Sequence, residues 1–66
     1  MKKVFVNVVR VEDAARMEKI LNVCRVSMND WDRTKVFELN GVNFIIYNIV
    51  CEPEIHETIN SAIKGC

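Results

Sequence analysis

NGVNFIIYNIVCEP, residues 40–53, decides how this chain can fold. Asn40-Gly41 stands between two runs rich in β-branched and aromatic residues. That is the strongest short-range hairpin signal, because a type I′ turn needs positive φ at both central positions. The run after the turn is a strand by composition but not by pattern. A strand with one face in water alternates apolar and polar residues. Here Val42, Phe44, Ile46 and Val50 point one way, and Ile45, Tyr47, Ile49 and Cys51 the other. Both faces are apolar, so the strand over 42–50 belongs in the middle of a sheet and needs a cover on each side.

Before the turn, KVFELN (35–40) supplies the hairpin partner. KVFVNVVR (3–10) is a further strand by its β-branched and aromatic content. Between them, EDAARMEKILNVC (12–24) carries Ala14, Met17, Leu21 and Cys24 on one helical stripe widened by Ile20. Asp13 is placed to cap that helix, and Glu12 and Arg16 stand four apart in the favourable order on its polar side. After the central strand, Pro53 suits a first helical turn. Glu54 and Glu57 complement the N-terminal dipole and Lys64 the C-terminal end. Ile55, Ile59, Ala62 and Ile63 form the apolar stripe of this helix over 53–64, and Gly65 can close it as a left-handed cap. Residues 25–34, RVSMNDWDRT, are the least legible: Val26 and Met28 could begin a short strand, whereas Asn29, Asp30 and Asp32 favour a turn.

The order is strand, helix, strand, strand, helix. A right-handed crossover makes the first two strands parallel, and the hairpin returns the third antiparallel to both. With the third strand in the middle, the expected fold is α+β: one βαββα domain over 1–66. Its antiparallel/mixed three-stranded sheet has the order 1-3-2, with two helices on one face. That is an incomplete ferredoxin-like arrangement, a split βαβ without its fourth strand. DAARMEKIL (13–21) resembles the first helix of heavy-metal-associated (copper chaperone) domains, and INSAIKG (59–65) is similar to the end of their second helix. The two metal cysteines of that family would fall at Arg10 and Asp13, and the strand over 42–50 departs from its pattern. The resemblance therefore implies a ferredoxin-like fold and carries no metal chemistry.

Composition limits the function. Nine basic and nine acidic residues cancel, so no net field favours nucleic acid or an anionic membrane. MKKVFVNVV begins as a signal peptide does, but Asn7 and Arg10 interrupt the apolar run. No segment approaches the ~20 apolar residues of a membrane span. Three cysteines, Cys24, Cys51 and Cys66, are an odd number without CxxC spacing, which fits reduced thiols and a cytoplasmic protein. A helix of about 12 residues, roughly 18 Å long, keeps Cys51 from Cys66. There is no GxGxxG and no P-loop, and a single histidine without a strained serine gives no nucleophilic machinery. No enzyme and no cofactor is expected.

Two uses of the surface remain. With both helices on one side, the other sheet face carries Phe5, or Val4 and Val6, plus half the apolar residues of the third strand. Such a patch exceeds what monomers usually expose, and the first strand is an unpaired edge. The expected function is a non-enzymatic protein-binding or regulatory module, a homodimer or a partner of another protein. Its contacts are expected at Phe5, Ile45 and Tyr47 on the sheet and Asp30, Trp31 and Asp32 in the NDWD loop, tryptophan being enriched at interface hot spots. The competing possibility is a lid, with residues 25–34 folding under the sheet and Met28 and Trp31 covering it. The alternative function is metal or thiol handling, since the topology brings Cys24, Cys51 and His56 to one pole near Asp30, Asp32, Glu52 and Glu54.

Overall fold

The computed structural model describes residues 1–65, so the readings on Cys66 lie outside the described residues. β1 (Lys3–Arg10) leads through a 3-10 turn (Val11–Asp13) into α1 (Ala14–Val23). A loop precedes the hairpin of β2 (Trp31–Leu39) and β3 (Val42–Cys51), and α2 (Pro53–Gly65) closes the chain. The sheet has the order β1-β3-β2, and both pairings with β3 are antiparallel. The α+β architecture expected from the sequence is therefore present, with the doubly apolar strand at the centre.

The hairpin turn forms as its residues require. Asn40 and Gly41 both have positive φ, 53° and 81°. The end of α1 uses the same region of backbone space without glycine: Arg25 sits at φ 61°. The Val26 N–H donates to the Leu21 carbonyl and the Arg25 N–H to the Asn22 carbonyl, each at 3.0 Å. This is a Schellman closure, and it also brings Val26 back onto the core. The N-terminal end of α1 differs from expectation. The helix starts at Ala14 after the 3-10 turn, and the Asp13 side chain makes no capping hydrogen bond. β2 also begins earlier than the sequence suggests, at Trp31, because residues 31–33 find ladder partners in Ile49, Asn48 and Tyr47. A bulge at Thr34 then takes up one residue before Lys35 pairs with Ile46.

α1 and α2 lie on one face. The core beneath them is Val9, Met17, Leu21, Ile45, Tyr47, Ile49, Cys51 and Ile59, with Phe5, Ile55 and Ile63 packed at its margin. Ala62, expected on the core stripe of α2, is exposed. Tyr47 is buried entirely because its polar tip is provided for. Its hydroxyl donates to a Glu18 carboxylate oxygen at 2.8 Å and lies 3.3 Å from the Ala14 carbonyl, both on α1. Glu18 also pairs with Arg33 of β2 at 3.3 Å. Arg16 ties the helices together by donating to the Ile63 carbonyl.

Candidate functional site

The register defines the uncovered face residue by residue. Directly opposed residues in a ladder share a face. Val4, Val6, Val8 and Arg10 of β1 oppose Val50, Asn48, Ile46 and Phe44 of β3. On the other side of β3, Asp32, Lys35, Phe37 and Leu39 oppose Asn48, Ile46, Phe44 and Val42. No described element covers these rows, and the three valines of β1 remain 67%, 62% and 52% exposed. Phe37 and Phe44 stack on each other with ring centroids 5.5 Å apart. Asn48 alone interrupts the central row, and its amide donates to Asp32 at 3.5 Å. The result is an apolar platform with its charges, Asp32, Lys35 and Arg10, at the margins.

Three of the expected contact residues are not on it. Ile45 and Tyr47 are 6% and 0% exposed under the helices, and Phe5 shares their side of the sheet. Phe5 stacks on His56 of α2 at 3.9 Å with the rings 10° from parallel. Their chain neighbours Val4, Val6, Phe44 and Ile46 take the open positions instead. Two apolar faces left the choice open by composition, and two polar residues of β3 bias it without deciding it. Tyr47 needs a hydrogen-bond partner when buried, which a helix supplies. Asn48, of opposite parity, is tolerated where water reaches it.

The NDWD stretch divides in the same way. Trp31 opposes Ile49 on the helix side of the sheet and packs against Tyr47, with centroids 5.8 Å apart. It forms neither a protruding recognition loop nor a lid on the open face. Met28 is 83% exposed and covers nothing there. Asp32 does lie on the open face, beside Asn48. Asp30 stands at its corner, where its carbonyl accepts the Val50 N–H at 2.7 Å and its carboxylate receives Lys2 at 3.3 Å.

The pole of the molecule keeps only part of the expected cysteine–histidine group. Cys24 and Cys51 line one cleft of about 180 Å³ together with Lys2, Arg25, Asp30 and Glu52. His56 is elsewhere. Its Nε2 lies 2.7 Å from Asn7 Oδ1, Asn60 Nδ2 approaches its Nδ1 at 3.4 Å, and Asn7 donates to Asn60 Oδ1 at 2.8 Å. That closed ring occupies both ring nitrogens, and desolvation lowers the His56 pKa below its ordinary 6.5. Burial raises the Cys51 pKa, and the nearby Cys24 and Glu52 charges push it the same way, so it stays a thiol rather than the thiolate that binds metal or attacks. Among the described residues no three His, Cys, Asp or Glu side chains are grouped to hold a metal ion. No described helix is long and apolar enough to cross a membrane.

Comparison of the chain with protein-family models, with curated proteins and with solved structures gives no match.

Proposed function

We propose that this protein is a non-enzymatic protein-binding or regulatory module whose working surface is the open face of the sheet, centred on Phe44 and Ile46. The observation that carries this reading is the contrast across β3. Ile45, Tyr47 and Ile49 are covered by helices, while the equally apolar row on the other side has no cover within the described residues. Three strands about 4.8 Å apart and eight residues long make a footprint of roughly 14 by 26 Å. A patch of that size and composition marks an interaction surface rather than an ordinary exposed side chain. Its occupant is a protein surface, a second copy or another chain.

The single histidine is engaged by Asn7 and Asn60, and the Cys51 thiol is buried, so the metal or thiol reading loses two of its three residues. Cys24 and Cys51 are free thiols, which fits the cytoplasmic location we assign to the module. The test is Ile46→Asp, a charge placed on the platform without entering the core. It is expected to keep the circular-dichroism spectrum and lose assembly, whether with itself or with a co-purifying protein. If Ile46→Asp changes neither sedimentation nor any co-purifying partner, the reading is wrong.

A further inference from the structure

Resting on that reading of the open face, we infer that its occupant is a second copy of this chain. The two sheets stack face to face about a two-fold axis perpendicular to the strands, passing between the Ile46 and Asn48 rows.

The register carries the inference. In aligned packing of two facing sheets, the two-fold axis between them runs along the strands or across them. An axis along the strands sets β1 against the partner's β2. Val8 would then meet a partner Lys35, and Val6 a partner Asp32, because each pair occupies one row of the ladder. Those contacts bury a charge against an aliphatic side chain four times over, which is unfavourable. An axis across the strands, between the Ile46 and Asn48 rows, exchanges those two rows. Asp32 stands in the Asn48 row and Lys35 in the Ile46 row, both on β2. Each Asp32 then faces a partner Lys35, and each Lys35 a partner Asp32. On β1, Val6 faces a partner Val8, again twice. On β3, Phe44 faces a partner Val50, large against smaller. Within the Ile46 and Asn48 rows every apolar position finds an apolar one except the Asn48 and Ile46 pair, where the Asn48 amide is already turned toward Asp32. In the next rows out Val4 faces a partner Arg10, so this axis sets two charges against valines, at the ends of β1, where the other sets four in the middle of the sheet.

The size is also sufficient. A footprint of roughly 14 by 26 Å, roughened by its side chains, brings the area buried on both copies to the order of 1,000 Å². That is the lower bound for a specific interface.

The test is charge reversal with sedimentation equilibrium and zero-length disulfide mapping on the full chain. Asp32→Lys and Lys35→Asp each place like charges together and should weaken the dimer by about tenfold or more, while the double reversal restores it. Asp32 and Lys35 are exposed, so folding should be retained in each. Ile46→Cys mixed with Asn48→Cys should cross-link through those positions, identified by mass spectrometry of the linked peptides, and neither variant should cross-link through that position alone. A monomeric wild type at tens of micromolar overturns the second copy as occupant. Self-linking of Ile46→Cys overturns this axis, as does indifference of the dimer to both single reversals. In each case the open face still stands as a binding surface if Ile46→Asp abolishes an assembly, so the two failures are separable.

Discussion

Ile45 and Ile46 are adjacent in the chain and lie on opposite sides of the sheet, the first 6% exposed beneath the helices and the second on the open platform. A single peptide bond separates core from surface because successive strand side chains alternate. The same alternation makes substitutions here diagnostic. Aspartate at Ile45 or Tyr47 buries an unpaired charge at several kcal/mol, comparable with a total stability of about 5 kcal/mol for so small a domain. Aspartate at Phe44 or Ile46 should leave the fold intact. Urea unfolding of the four variants should therefore alternate between unfolded and folded along 44, 45, 46 and 47. Two folded variants among Ile45→Asp and Tyr47→Asp would contradict the assigned face.

Tyr47→Phe should destabilise the protein by about 1 kcal/mol, since it removes a hydrogen bond to a carboxylate that keeps Arg33 as a partner. Burial, reinforced by the Glu18 hydrogen bond and charge, raises the phenol's pKa far above its ordinary 10. The native state then holds a proton that the unfolded state gives up above pH 10, so stability falls as pH rises beyond that value. Ultraviolet titration should show Tyr47 ionising only as the protein unfolds.

His56 gives the opposite edge of the pH range. Desolvation depresses its pKa, and Phe5 and Asn7 of β1 and Asn60 of α2 surround the neutral ring. Below pH 6.5 the unfolded state takes up the proton before the folded state does. Stability is thus complete above 6.5 and declines as pH falls toward the lower native value. Denaturant midpoints between pH 7.5 and 5 should fall for the wild type, and His56→Gln should flatten that fall. An unchanged slope in the variant would assign it to carboxylates instead.

Two backbone positions should respond with opposite signs. Gly41 has φ 81° and open space where a Cβ would stand, so Gly41→Ala should cost about 1 kcal/mol from conformation alone. Arg25 bears a side chain at φ 61° in the closure of α1, so Arg25→Gly should stabilise by several tenths to about 1 kcal/mol. Thermal melts of both variants provide the check.

Thiol labelling should be ordered. Cys24 is half-buried, while Cys51 is 4% exposed with a raised pKa. Of these two, iodoacetamide at pH 8 should modify Cys24 before Cys51, which reacts on the timescale of unfolding, as read by peptide mass spectrometry.

The sequence by itself determined the elements and their order. Asn40-Gly41 compelled a hairpin through its backbone preference, the 3.6-residue stripes through Met17 and Leu21 and through Ile55 and Ile59 gave two helices, and the doubly apolar run had to be central. These are local or pairwise constraints. What only the tertiary structure decided is which side of β3 the helices cover, because hydrophobicity is non-directional and both rows offered similar area. The choice fell to directional contacts between residues far apart in the chain. The Tyr47 hydroxyl reaches Glu18 and Asn7 reaches His56 and Asn60, each a polar group that burial would otherwise leave unsatisfied. Trp31 followed the same logic, becoming the first residue of β2 once Ile49 was available to pair with it. Long-range hydrogen bonds thus selected the covered face, and left Phe44 and Ile46 on the other.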